Sequence, residues 1–216
     1  MFTEALSKNT QKALAILGKS HFKNRAYLGG GTALCLQMGH RISVDLDFFT
    51  SEEFDFKELV RDLKKLGSFA LDRGGWGTVW GEFEKVKFSM FTYKYPVLFP
   101  FKSLWGIKIL DLRDISAMKI DAISTRGLKR DFIDLYFICK RGISLKKILL
   151  LYNRKYGTLA SNFMHIQKSL VYFVDAEMSV MPKMLKKIKW EEVKKFFEEE
   201  VKSLAKNDFA WKGRLP

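Results

Sequence analysis

Near Asp111 the hydrophobic period of this 216-residue chain changes, and that change limits the folds open to it. From Ser68 to Leu110 apolar residues alternate in short runs. Thr78–Phe83 and Val86–Phe91 read as strands joined by a turn at Glu84-Lys85, and Ile107–Leu110 reads as another strand. After Asp111 apolar residues recur at helical spacing over residues 112–125, 129–140, 144–156, 160–174 and 190–206. Strands followed by a run of helices point to an α+β fold. The break suggests a core over residues 1–110 and a helical part over 111–216, although no long linker separates them. Upstream of the β-rich stretch, helices are expected over 4–17, stopped by Gly18, from Thr32 as cap to Met38, closed by Gly39, and over 55–66. Short strands are expected at Ala26–Leu28 and Val44–Phe49.

Charge narrows the partners. The formal net charge is +14, with +5 on residues 1–110 and +9 on 111–216. The densest stretch, residues 126–155, holds nine basic side chains against Asp131 and Asp134. These are Arg126, Lys129, Arg130, Lys140, Arg141, Lys146, Lys147, Arg154 and Lys155. Such a surface attracts polyanions, RNA among them, although a lysine-rich solvated surface would read the same way. No apolar run reaches the 18 or so residues of a membrane span, so no membrane partner is expected. The N-terminus, Met1-Phe2-Thr3-Glu4, does not read as a secretory signal. Cys35 and Cys139 sit in apolar helical patterns without zinc spacing and read as packing residues, which suits a cytoplasmic, reduced protein.

Chemistry concentrates in two places. In Val44-Asp45-Leu46-Asp47-Phe48-Phe49 the alternation puts both aspartates on one strand face, with Cα atoms roughly 6.5–7 Å apart. Val44, Leu46 and Phe48 would then face the core. Two carboxylates on one face repel unless a cation lies between them. Hard ions such as Mg²⁺ (or Mn²⁺) take one or two carboxylates plus substrate phosphates. An acidic outer face of an ordinary amphipathic strand is the alternative. About 15 residues upstream, Gly29-Gly30-Gly31-Thr32 stands at a strand-to-helix turn, where backbone N–H groups can meet phosphate oxygens. Thr32 could cap the helix or meet a phosphate. No Walker-type lysine follows, so the turn is not a P-loop. His40-Arg41 lies between turn and strand. Downstream, Lys119 has apolar neighbours, where an ammonium needs an anion. Asp131 and Asp134 share one face near a helix start, suited to capping or to catalysis.

Two long stretches carry a resemblance. LGGGTALCLQMGHRISVDLDFF (Leu28–Phe49) is similar to the first motif of the AbiEii/AbiGii toxin family, within the DNA polymerase β-like nucleotidyltransferase superfamily. DISAMKIDAISTRGLKRDFIDLYFI (Asp114–Ile138) resembles that family's downstream motifs, and VKFSMFTYKYP (Val86–Pro96) fits between them. The resemblance implies an N-terminal nucleotidyltransferase-type mixed sheet with flanking helices, followed by a helical C-terminal part. It implies an NTP substrate, Mg²⁺ (or Mn²⁺), and a toxin with a cognate antitoxin partner in a toxin–antitoxin or abortive-infection system. By the same resemblance Asp45 and Asp47 match the metal pair, and Gly30, Gly31 and Thr32 match the triphosphate turn. Lys119 matches a phosphate ligand, and Asp131 or Asp134 a catalytic acid. Arg41 is a further candidate nucleotide ligand. One departure stands out: where the superfamily usually places a third carboxylate on a central strand, this chain has Ser89.

Three readings follow. The first is transfer of a nucleoside monophosphate to a macromolecule, tRNA or protein, with the basic 126–155 region gripping RNA. The second is a non-catalytic RNA-binding or partner-binding module, which retention of Asp45 and Asp47 disfavours. The third is a small-molecule nucleotidyltransferase, which the excess positive charge disfavours.

Overall fold

The computed structural model describes residues 1–206. It divides into two compact units, Met1–Leu112 and the residues from Arg113 onward. The first is built on seven strands: β1 (Tyr27–Leu28), β2 (Leu46–Thr50), β3 (Phe69–Gly75), β4 (Thr78–Phe83), β5 (Val86–Thr92), β6 (Lys102–Leu104) and β7 (Ile107–Ile109). They form one sheet in the order β3-β4-β5-β2-β1-β7-β6. β2 runs parallel to β5 and β1 parallel to β7, and the other neighbours are antiparallel, so the sheet is mixed.

Alternation along the strands gives the sheet two faces. Leu46 and Phe48 of β2, Phe88 and Met90 of β5, Val79 of β4 and Ile109 of β7 are buried. Phe22 packs edge-on against Phe48 with ring centroids 4.8 Å apart, and it also meets Phe88. Helices α1 (Lys8–Lys19), α2 (Phe22–Arg25), α3 (Gly30–Met38) and α4 (Phe56–Leu66) supply the rest of this core through Leu14, Leu17, Leu34, Leu59 and Leu63. The opposite face carries Asp47, Ser89 and Trp80, which the strand register sets side by side: Asp47 opposite Ser89, and Ser89 opposite Trp80.

Local chemistry explains where boundaries differ from the sequence reading. The expected helix 4–17 breaks into a 3-10 turn at Thr3–Ala5 and α1, because Ser7 is extended and its hydroxyl accepts from the N–H of Thr10 at 3.1 Å. α3 starts at Gly30 with Gly29 as its N-cap, so Thr32 lies inside the helix and does not cap it. β2 begins at Leu46, so Asp45 precedes the strand and does not share a strand face with Asp47 as expected, and Val44 is 51% exposed instead of facing the core. β3, β6 and α2 appear where no separate element was expected. The Glu84-Lys85 turn forms as expected. Both residues take positive φ (52° and 63°), the hand that matches strand twist in a two-residue hairpin.

The second unit is helical: α5 (Leu112–Thr125), α6 (Lys129–Lys140), α7 (Leu145–Tyr156), α8 (Leu159–Ser169), α9 (Val174–Glu177) and α10 (Trp190–Lys206). The expected helix 160–174 ends at Ser169, and β-branched or aromatic residues at Val171, Phe173 and Val174 favour its continuation poorly. Phe132 of α6 centres this core, with the rings of Phe173, Trp190 and Phe197 within 5.3–5.9 Å.

Candidate active site

The glycine turn and the acid pair meet at the end of β1. Gly30 has φ +62°, and a Cβ there would come within 2.8 Å of Asp47 Oδ2. Backbone conformation and close approach therefore both demand glycine at this position. A Cβ at Gly31 would come within 2.6 Å of the Arg41 guanidinium, so Arg41 lies against the same turn, buried, with Nη1 donating to the Ile42 carbonyl at 3.1 Å. The N–H of Gly29 donates to the carbonyl of Asp47 at 2.9 Å. The N-terminus of α3 thus opens beside the Asp47 carboxylate, and its positive dipole end favours anions.

Thr32 serves the scaffold. Its side chain is buried, donates to the carbonyl of Asp45, and shares a 2.9 Å hydrogen bond with Ser43 Oγ. This ties α3 to the segment that carries the first aspartate. Asp45 and Asp47 are both partly exposed and line a cavity of about 290 Å³ together with Ser89, Trp80, Lys87 and Asp72. Ser89 Oγ donates to Asp47 Oδ1 at 2.6 Å. Ser89 therefore orients the Asp47 carboxylate. Trp80, Lys87 and Asp72 were not singled out from the sequence. The alternation of β4 and β5 puts Trp80, Lys87 and Ser89 on the polar face, but only the strand register brings them to Asp47.

The donor set suits a hard divalent cation by its chemistry: two carboxylates lining one cavity, with a neighbouring hydroxyl. Among the described residues no group of three or more His, Cys, Asp or Glu could hold a metal ion. A cation at Asp45 and Asp47 would thus complete its shell with oxygens from substrate or water.

Lys119, Asp131 and Asp134 form a second cluster, within the helical unit. Lys119 Nζ lies 2.8 Å from Asp131 Oδ1 and 2.6 Å from Asp134 Oδ2, and both carboxylates are fully buried. Arg126 Nε adds a 2.9 Å bond to Asp131 Oδ2. Burial alone would raise the Asp131 carboxyl, but the Lys119 charge and the Arg126 hydrogen bond outweigh it and hold Asp131 below the usual carboxylate range. These three residues, expected at the site, are thus joined to one another. The anion that the Lys119 ammonium was expected to need is supplied by two carboxylates.

The basic stretch 126–155 is less uniform than its sequence. Lys155 is 2% exposed and ion-paired with buried Asp114 at 2.8 Å, so it is no part of a solvated patch. Arg126 is engaged with Asp131. Lys140, Arg141, Lys146, Lys147 and Arg154 are exposed.

A mixed sheet with a glycine turn set against an aspartate pair defines the class: a nucleotidyltransferase. Comparison with known proteins gives the particular family. The model of the family described as "Nucleotidyl transferase AbiEii toxin, Type IV TA system" matches residues 12–109 and 86–213, and this chain belongs to that family. A protein of Aquifex aeolicus (strain VF5), "Uncharacterized protein aq_aa25", is 40% identical over 207 residues, covering 94% of this chain and 98% of its own. Two H. pylori crystal structures share the fold. One, ascribed to a nucleotidyltransferase, has a TM-score of 0.58 at 18% identity, covering 96% of each chain. The other, JHP933, has a TM-score of 0.52 at 17% identity, covering 95% of this chain and 97% of its own. No helix among the described residues is long and apolar enough to cross a membrane.

Proposed function

We propose that this chain transfers a nucleoside monophosphate from an NTP to a nucleic-acid acceptor, with tRNA the first candidate. Asp45 and Asp47 would hold Mg²⁺ or Mn²⁺. The observation that carries the reading is the close approach of Gly30 to Asp47, because it puts the N-terminus of α3, a helix end that favours anions, directly beside one of the proposed cation ligands. Gly30 and Gly31 offer backbone N–H groups to the triphosphate, and Arg41 supplies positive charge behind the turn. Thr32, its hydroxyl engaged with Asp45 and Ser43, supports the turn instead of meeting the phosphate.

The reaction is an in-line displacement. An acceptor hydroxyl oxygen bonds to the α-phosphorus, the bond from that phosphorus to the oxygen bridging to the β-phosphate breaks, and pyrophosphate leaves. The acceptor proton passes to a base or to solvent. A divalent cation, when bound, neutralises charge on the transferring phosphoryl group. The protein's share is to hold Asp47 in one orientation through Ser89 and to set the α3 N-terminus towards the leaving phosphates. On α5 and α6, Lys119 with Asp131 and Asp134 form a charge cluster for which we propose the family's phosphate-binding and acidic roles. A cognate antitoxin and a cytoplasmic location complete the reading.

The test is transfer of label from each α-labelled NTP to purified tRNA in Mg²⁺. Asp47→Asn keeps the shape and removes the charge, and it should slow transfer at least about a hundredfold, since loss of metal neutralisation costs several kcal/mol. Full activity of that variant, or full activity in EDTA, would overturn the reading.

A further inference from the structure

We infer that Trp80, Arg73 and Lys87 form the acceptor subsite, and that it takes the unpaired end of a nucleic-acid strand by stacking a terminal base beside Asp47. This rests on the nucleotidyl-transfer reading above. Strand order supplies the first step. The glycine turn follows β1, on one side of β2, whereas Ser89, Lys87 and Trp80 lie on β5 and β4, on the other side. In an in-line displacement the attacking and leaving oxygens stand on opposite sides of the phosphorus. With the leaving phosphates at the glycine turn, the acceptor must approach across β5 and β4.

What stands on that side is suited to a nucleotide. Trp80 is half-buried, with Phe91 edge-on at 5.4 Å fixing its ring. The exposed Arg73 guanidinium lies 3.8 Å from the Trp80 ring centroid. An unpaired base can extend such a ring–guanidinium stack, since bases stack on aromatic rings and on arginine planes alike. Lys87 is exposed, lines the same cavity, and makes no ion pair among the described residues, so its ammonium is available for a backbone phosphate. A duplex end keeps its terminal base paired and stacked internally, which makes the subsite selective for single strands. A polypeptide acceptor would leave the stack and Lys87 without use.

The experiment measures binding apart from transfer. A fluorescein-labelled short oligoadenylate and a blunt-ended RNA duplex of equal length are titrated with the full chain, and anisotropy is followed over a salt series. The strand should bind at least about tenfold more tightly than the duplex. Trp80→Ala should weaken strand binding by about fivefold to a hundredfold, the range for losing one stacked base. Lys87→Gln, at an exposed position that folding tolerates, should weaken it and flatten the salt slope by about 0.7. NTP affinity should stay within about twofold in both variants. Wild-type strand binding in Lys87→Gln and in a folded Trp80→Ala, equal affinity for the duplex, or loss of NTP binding instead of strand binding would each overturn the subsite. Asp47→Asn separates the two ideas. It should lose transfer and keep strand binding, so active Asp47→Asn sinks the catalytic reading, whereas unaffected Trp80 and Lys87 variants sink only the subsite.

Discussion

Ser89 sits directly across the β2–β5 ladder from Asp47 and donates a 2.6 Å hydrogen bond to its carboxylate. The hydroxyl thus fixes the orientation of one of the two neighbouring carboxylates. Hydrogen bonds to charged groups are worth roughly 1.5–3 kcal/mol of stability, so Ser89→Ala should lower melting, and, by freeing the Asp47 carboxylate to turn, it should also slow transfer measured well below the melting temperature. Ser89→Asp would add a third carboxylate and should lower the Mn²⁺ concentration needed for half-maximal transfer. Unchanged rates and unchanged Mn²⁺ dependence in both variants would remove Ser89 from the site.

Lys119 faces two buried carboxylates at once. Lys119→Ala strands both, and breaking a buried pair costs about 3–5 kcal/mol, so a marked fall in melting temperature is expected. Lys119→Arg keeps the charge but not the compact shape, and it should rescue poorly. Transfer assayed well below the variant's melting temperature isolates any direct role towards phosphate. A melting temperature equal to wild type would show that the cluster contributes nothing to folding.

Asp131 gives the acid limb of stability. Its folded carboxyl titrates below the 3.8 of an unperturbed aspartate, because Lys119 and Arg126 outweigh its burial. Its contribution is therefore fully present above the unfolded value and is lost as pH falls through the folded one. Asp131→Asn should be less stable at neutral pH by about 2–4 kcal/mol, and its stability should change less between pH 5 and pH 2. Parallel acid limbs in urea titrations of the two proteins would contradict this assignment.

For the basic stretch, the structure changes which residues to alter. Neutralising exposed Lys146, Lys147 and Arg154 should flatten the salt dependence of tRNA binding by up to about 2–3 in slope while leaving melting nearly unchanged. Lys155→Gln should do the opposite, since it strands buried Asp114 and leaves the surface charge as it was. A salt slope that is the same in the triple variant would make α7 a solvated face and nothing more.

The contrast between Lys146 and Lys155 marks how far sequence reaches. Local patterns are legible in it: the alternation that makes β2 and β5 strands, the Glu84-Lys85 hairpin turn, and the glycine run at the start of α3. These depend on neighbours a few residues away. The hydrogen bond of Thr32 to the Asp45 carbonyl, the burial of Lys155 against Asp114, and the gathering of Trp80 and Lys87 at Asp47 depend on partners 13 to 41 residues distant. Periodicity carries no information about strand register, and register is what assembles the outer face of this sheet. β6 escaped notice because Lys-Ser-Leu is too short to show a period.

Cys139 tests the packing of the helical unit. Its thiol is pushed up to about 12, first by burial and then by the Glu200 carboxylate, with Lys140 opposing only in part. The reactive form of a cysteine is the thiolate, and at pH 8 a thiol of that acidity is ionised in only about one molecule in ten thousand. Cys35, on α3, is fully buried, and neither Cys35 nor Cys139 is in a disulfide. Native protein at pH 8 should therefore resist iodoacetamide at both positions, whereas protein in guanidinium should gain two carbamidomethyl groups within minutes. Labelling through opening should follow the population of the open form and rise steeply as the melting temperature is approached. The Glu200 contribution is separable: Glu200→Gln removes a charge that disfavours the thiolate, so any labelling of Cys139 that occurs without opening should speed up, while Cys35 is untouched. Rapid single-site labelling of the wild-type chain in the cold, assigned to Cys139 by peptide mass, would mean that the surface formed by α6 and α10 is open where this structure closes it.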